Sequence, residues 1–470
     1  MFTSGSINKK VVFFPVEIES RELDYKILLA SMTANSEVCC FIGQHNLLNK
    51  LINFFKNGVY FGKNVFQERF PCDQSHYQAL KKNKFSLLYL NEEGGVLSGG
   101  PSDWDNELKA QIDPKYLDSD DAILCWGQYQ YNFYSSLPAP QKPSIHNTGC
   151  PRLELNEGSS LKELVIQSSS VSHQNFILFN TNFAAVNHSV DPLTWFENYS
   201  RKDETMQHMN TAISIYADAM KVLGSFIEMI LAVVNEFPTK TFYLRPHPSE
   251  SLSFYQTLFA KHHNISVVRD ATAVEWIQSC DLLIQNGCST SLEAHFLDKK
   301  IISYYPFDNH SNVNITKGVG VSAKSSNQVI KIIETMELSS FKSEDLSGIS
   351  KLISNFEQST SFQMSHNIIL SSLSDKIAIP FSILKLRAYT IFHTTFIGIK
   401  SLIGHASSKK RKKIQYLRLN FPGFDPAALQ AKIDTVGKIL NKKLIMTYIN
   451  KDLFIISEQS ASNRQKNDTN

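Results

Sequence analysis

Two series of short apolar strands alternating with helical patterns run through residues 11–305, and no other feature of the chain restricts its fold as strongly. In the first series VVFFPV (11–16), a helical pattern over 22–35, VCCFIG (38–43), a helix over 46–56, VYFG (59–62), FSLLYL (85–90) and AILCWG (122–127) succeed one another. The second runs through FILFNTNF (176–183), a long helix over 205–236, TFYLRPHP (241–248), ISVV (265–268), DLLIQN (281–286) and KKIISYY (299–305). Strands separated by helices predict parallel, doubly wound sheets. Between the series, LNEGSSLKE (155–163) reads as a linker. The expectation is therefore α/β, with Rossmann-like domains at 1–158 and 159–340 facing a cleft that receives the strand ends of both. A helical, basic C-terminal region follows over 341–455, and a polar tail over 456–470 is expected to be disordered.

Size and charge narrow the function classes. At 470 residues the chain exceeds a single binding module, since length predicts roughly two to three domains. With 47 basic against 44 acidic residues, the net charge of +3 excludes nucleic acid as the partner of the whole protein. Seven cysteines without CxxC spacing predict neither a disulfide framework nor a structural zinc site, and point to a reducing compartment. The apolar stretch after Lys10 is shorter than a signal-peptide core, and no run approaches the roughly 20 apolar residues of a membrane span. A cytoplasmic location is expected. Residues 376–424 nevertheless hold ten Lys or Arg and no acidic residue, including KKRKK (409–413). Within them IAIPFSILKLRAYTIFHTTFIGI (377–399), interrupted by Lys385 and Arg387, reads either as an interfacial helix on the inner face of the cytoplasmic membrane or as a helix packed on the second domain.

Three turns carry residues suited to chemistry. In YLRPHPSE (243–250) two prolines end a strand, leaving Arg245, His247 and Pro248 at its tip. A guanidinium grips phosphate oxygens, and an imidazole can donate a hydrogen bond or proton to a departing one; the plainer reading is a strand-end turn in which the histidine caps a backbone group. In DLLIQNGCSTSLEA (281–294) Asn286 closes a strand, and Ser289, Thr290 and Ser291 precede a helix expected to begin near Leu292. Free N–H groups there would favour an anion, or the hydroxyls are simple caps. In LLYLNEEGGVLSGG (87–100) the adjacent Glu92 and Glu93 sit at a glycine turn, where one carboxylate can be poised as a base or both can be solvated. Glu17, Arg21 and Glu22 after the first strand could line an acceptor site or merely charge a helix start. Asn180, Thr181 and Asn182 could approach a donor phosphate or form a turn.

The ordered set of Glu92, Glu93 and Gly94, then His247 and Pro248, then Ser289 to Ser291, resembles the pattern of bacterial polysialyltransferases and capsule Kdo transferases, which are GT-B glycosyltransferases. PVEIESRELDYKILLA (15–30), the NEEG turn, WGQ (126–128), NTGCPRLEL (147–155), FILFNTNF, RPHPSE and the CSTSLEA helix together resemble the surface carbohydrate biosynthesis protein family over about residues 10–310. The resemblance implies a general base at Glu92 or Glu93, with Glu93 favoured, and departure of a nucleoside monophosphate assisted by His247. It implies a phosphate grip from Ser289, Thr290 or Ser291, with Glu293 on the ribose hydroxyls and Gly94 on the acceptor side. Its donors are CMP-activated acidic sugars such as CMP-Kdo or a CMP-nonulosonate, and its acceptors are surface polysaccharides or lipid-linked precursors. No metal and no cofactor beyond the donor are expected. The rivals are a nucleotide-sugar 2-epimerase or a CDP-polyol phosphotransferase on the same fold, and a non-catalytic glycan-binding or assembly protein.

Overall fold

The computed structural model describes residues 7–63, 71–95, 97, 101–156, 171–199, 206–307, 316, 318–335, 347–354, 360–392 and 421–459. Two compact units partition the chain: Met1–Gly95 with Asp105–Ser168 and Leu352–Asn470, and Val96–Trp104 with Ser169–Lys351. The expected boundaries at 158 and 340, the segment 157–163 of the linker, residues 393–399 of the apolar stretch and the KKRKK cluster all lie outside the described residues.

The first unit is built on β1 (Ile7–Val16), β2 (Val38–Gln44), β3 (Gly58–Phe61), β4 (Phe85–Leu90), β5 (Ala122–Cys125) and β6 (Ser144–Asn147), all parallel in the order β2-β1-β3-β4-β5-β6. Central strands are buried along consecutive residues, as VVFFPV is in β1, because both faces of such a sheet are covered. Phe13 anchors an aromatic cluster, with Phe41, Phe55 and Phe85 rings centred 5.2, 5.3 and 5.2 Å away. The winding reverses between β1 and β3, and ligands of open α/β sheets bind outside the strand ends at that point.

The second unit carries β7 (Phe176–Asn180), β8 (Thr241–Arg245), β9 (Ile265–Val267), β10 (Leu282–Gln285), β11 (Lys300–Tyr304) and β12 (Val321–Ala323), again parallel, in the order β12-β11-β10-β7-β8-β9. This is the six-strand Rossmann order, with its reversal between β7 and β10. The helix Met206–Glu236 places Phe226, Met229, Ile230, Val233 and Val234, at helical spacing, in one core with Phe179, Phe242, Leu244 and Ile284. The expected fold class, two doubly wound Rossmann-like units in one chain, is the one observed.

The C-terminal region differs from the expectation of a purely helical extension. Helices Ser347–Leu352, Ser361–Ser374 and Pro426–Leu440 are present, but so are β13 (Ile379–Phe381), β14 (Leu444–Asn450) and β15 (Leu453–Glu458). β13 pairs antiparallel with β1, and the β14-β15 hairpin extends the first sheet through β2. Residues 456–458, expected in a disordered tail, finish β15, and Ile456 is fully buried. LIMTYIN and LFIISE are rich in β-branched and aromatic residues around a Lys451–Asp452 turn, so the strand signal was present in the sequence. Among the described residues no helix is long and apolar enough to cross a membrane.

Candidate functional site

In the first unit the charged residues gather where β1 and β4 end. The helix Glu19–Thr33 has no side-chain cap from Ile18; instead the Glu22 carboxylate turns back and accepts the N–H groups of Glu17 (3.0 Å) and Ile18 (3.2 Å). Lys26, one turn on, is fully buried, and its ammonium donates to Glu22 (2.9 Å) and the Pro15 carbonyl (2.5 Å) and pairs with Glu92 (2.8 Å). Three acceptors thus meet three N–H donors. Burial alone would raise the Glu22 carboxyl, but Lys26, Arg21 and Lys63 outweigh it and hold it well below the usual carboxylate range.

The two glutamates of the NEEG turn are not equivalent. Glu92 is buried and also accepts the Tyr25 hydroxyl at 2.5 Å. The Glu93 side chain is 57% exposed, paired at 2.6 Å with Arg21, whose other terminal nitrogen reaches Glu22 at 3.2 Å. Asn91 shapes the turn by accepting the Glu93 N–H on its side chain (2.9 Å) and the Gly94 N–H on its carbonyl (3.2 Å). At Gly94 a Cβ would lie 3.0 Å from both Trp126 and Gln130, so glycine here permits a close approach within the fold. Across the winding reversal, Glu17 after β1 pairs with Lys63 after β3 at 2.9 Å.

The second unit holds the other predicted residues. Thr181 Oγ1 (2.7 Å), Phe183 N (3.0 Å) and His247 N (3.2 Å) all donate to one oxygen of the fully buried Glu250, and the Tyr255 hydroxyl donates to the other at 2.6 Å. This carboxylate staples the loop after β7 to the RPHP turn after β8. Burial raises its pKa, opposed by those four donors, none of which is charged. The Ser249 N–H donates to His247 Nδ1 at 3.2 Å, which places the neutral ring's proton on Nε2. Pro248 is half-buried beside it.

Arg245 and Asn180 are register partners at the ends of β8 and β7. The Arg245 guanidinium is buried, 7% exposed, and donates to the Ala271 carbonyl at 3.2 Å; its Nε has no partner among the described residues. Burial lowers its pKa, with Cys288 and Glu293 opposing. Asn180 donates to Thr290 Oγ1 (3.1 Å) while its Oδ1 is buried and unpartnered, and the exposed Asn182 donates to the Gly287 carbonyl (3.3 Å). The winding reversal of this sheet is therefore bridged by side chains, with Gly287 in the left-handed region at φ 62°.

The three hydroxyls separate. The helix starts at Thr290, two residues before the expected Leu292, because Ser289 is already helical in φ and ψ, and it is only seven residues long. Ser291 is buried and donates to the Cys288 carbonyl (2.9 Å), and Thr290 donates to Cys288 Sγ (3.1 Å). Ser289 is half-buried and makes no capping bond. Asn286 donates to the Tyr304 carbonyl (2.6 Å), and Glu293 is buried. Among the described residues, Asp118, Asp120 and Asp121 could share a metal ion, but they lie before β5, at the sheet end away from the NEEG turn, with Lys81 at 3.5, 2.6 and 2.9 Å.

Sequence reasoning missed Tyr25, Lys26, Glu250 and Tyr255 as members of these clusters. The signal for Lys26 was its place four residues after Glu22 in an otherwise apolar run, and that for Glu250 was a carboxylate directly following a proline-locked strand end.

No protein-family model and no curated protein matches this sequence, so the likeness to polysialyltransferases and Kdo transferases rests on its motifs alone. Among solved structures, the chain is similar to the UDP-GlcNAc 2-epimerase from Neisseria meningitidis bound to UDP-GlcNAc, at 13% identity over 78% of this chain and 99% of that one, TM-score 0.45. It is also similar to S. aureus MnaA with UDP, at 10% identity over 78% and 97%, TM-score 0.45. For the wall teichoic acid polymerase TagF the figures are 11% identity over 78% and 89%, TM-score 0.41. Likenesses this distant say nothing of substrate or reaction.

Proposed function

We propose that this protein is a glycosyltransferase of the GT-B type that transfers an acidic sugar from a CMP-activated donor to a surface polysaccharide or its lipid-linked precursor. The observation that carries this reading is Arg245: a buried guanidinium with an unpartnered Nε and no carboxylate within ion-pairing distance among the described residues, at the tip of a strand next to the winding reversal. A buried cation without an anion is costly, and a donor phosphate supplies that anion. The unpartnered Asn180 Oδ1 beside it suits a ligand that also offers a hydroxyl.

In this reading the second unit holds the donor. Arg245 and Ser289 hold the phosphate, and His247 Nε2–H donates to the oxygen that departs as the sugar–phosphate bond breaks. The first unit supplies the base. Glu93, exposed and oriented by Arg21, takes the proton of the acceptor hydroxyl as its oxygen bonds to the anomeric carbon, while Glu92 positions the turn through Tyr25 and Lys26.

Calorimetric titration of CMP, CDP, UDP and GDP into the wild-type protein, His247→Ala and Arg245→Met tests the reading. CMP preference that both substitutions weaken supports it. Preference for UDP or CDP moves the assignment to an epimerase or a polyol phosphotransferase, and absence of any nucleotide binding leaves a glycan-binding protein. With a donor identified, Glu93→Gln lowers turnover by about 10²- to 10⁴-fold.

A further inference from the structure

The turn that carries His247 is clasped from the neighbouring strand. His247, Pro248, Ser249 and Glu250 form a four-residue turn in which the Glu250 N–H donates to the His247 carbonyl at 2.8 Å, with proline at the second position, where its fixed φ suits the turn. The histidine is then held at three places. Its N–H donates to the Glu250 carboxylate (3.2 Å), and its Nδ1 accepts the Ser249 N–H (3.2 Å). Its carbonyl is reached by Arg269, two residues beyond β9, whose Nη2 donates to the Glu250 carbonyl at 2.5 Å and to the His247 carbonyl at 3.5 Å. One guanidinium nitrogen therefore spans the first and last residues of the turn.

A proline turn with its own backbone hydrogen bond does not need a cation in order to form. Arg269 is half-buried, its Nε has no partner among the described residues, and burial lowers its pKa with only Glu250 opposing. Setting a guanidinium against neutral carbonyls in this way is costly, and what it adds is a charge-assisted hold on the opening of the turn. The lacing runs in both directions. Arg245 at the end of β8 donates to the Ala271 carbonyl beyond β9, and Arg269 beyond β9 donates to the carbonyls beyond β8. Through Glu250 the same turn is tied to the loop after β7.

We propose that Arg269 is a positioning residue for His247: by holding both ends of the turn it keeps the imidazole in one orientation and in its Nε2–H form. This deepens the assignment of the second unit to the sugar donor and rests on it for the oxygen that Nε2–H meets. Arg269 acts through the turn and not on the departing phosphate.

Two-bond proton–nitrogen NMR spectra of the full chain, labelled at histidine, read the ring tautomers, and the His247 signal is identified by its loss in His247→Ala. Wild type shows the Nε2–H pattern. Arg269→Met, by loosening the turn and the Ser249 bond to Nδ1, shows a mixture of the two tautomers, and Arg269→Lys, which keeps a cationic donor, returns to the wild-type pattern. Calorimetric titration of CMP gives a second readout. Arg269→Met weakens binding by about tenfold, and in the His247→Ala background it causes no further loss. A wild-type ring that is not Nε2–H, or an unchanged His247 pattern in Arg269→Met, overturns the proposal. So does a loss of CMP affinity that adds in full to that of His247→Ala, because the guanidinium would then act on the phosphate by its own charge. Where Arg269→Met fails to fold, Arg269→Gln carries the same comparisons. If the wild type binds no CMP, the sugar-donor assignment falls and the tautomer comparison alone decides the role of Arg269.

Discussion

Each unit buries a glutamate just beyond the C-terminal end of a strand, and the two are held by different means. Both accept two backbone N–H groups, but Glu22 in the first unit also meets an ammonium and a guanidinium, whereas Glu250 in the second meets two hydroxyls. The first carboxyl is held below its ordinary pKa and the second is raised. Burial acts on both in the same direction, so the difference lies in the charge of the donors. Neutral donors orient a carboxylate without cancelling its desolvation; cations do both, and tie the fold to every member of the network.

Breaking the charged network should have the largest effect. Lys26→Met leaves Glu22 and Glu92 buried without their ammonium and should cost about 3–5 kcal/mol in chemical denaturation, with first-unit probes unfolding at lower denaturant. Glu250→Gln keeps the volume but replaces an acceptor with a donor, and should cost about 1–3 kcal/mol, seen as a lower thermal midpoint for the second unit.

The pH dependences of the two sites sharpen the contrast. A depressed folded pKa makes Glu22 stabilising above the ordinary carboxylate range, with that contribution lost as pH falls through it. A raised folded pKa makes Glu250 respond oppositely: its contribution is present below the ordinary carboxylate range and lost as pH rises through the folded value. The stability of wild type relative to Glu250→Gln should therefore improve as pH is lowered through the raised folded value toward the ordinary carboxylate range, and a flat or falling difference would contradict the assignment.

Smaller effects come from the borders of the first cluster. Lys442 donates to the carbonyls of Ser31 (3.2 Å), Met32 (2.7 Å) and Ala34 (3.1 Å) at the end of the helix that carries Arg21 to Lys26, so Lys442→Met should cost about 1 kcal/mol. Glu93→Gln, at an exposed ion pair, should change stability by less than about 1 kcal/mol. A severe stability loss there would make Glu93 structural and remove it as the base.

Strand and helix alternation, being local and periodic, made the two Rossmann-like sheets legible, and the proline-locked tip at Arg245 and His247 was legible for the same reason. The β14-β15 hairpin carried a local strand signal, but its place in the first sheet was not legible, because that depends on a distant strand edge, here that of β2. Nor was the division of labour between Glu92 and Glu93. Adjacent residues in a turn point in different directions, and only the packing of Tyr25 and Lys26 against one of them distinguishes the pair.

By itself the sequence determined the α/β class, the strands that end in polar turns and the short set of residues able to carry a charge or a proton there. Tertiary structure decided which of those side chains are buried against partners, which reach solvent, and that the chain beyond residue 352 returns to the first unit. Periodicity and turn chemistry are properties of neighbours along the chain, whereas desolvation and charge pairing depend on groups brought together from far apart, as Lys26 and Glu92 are.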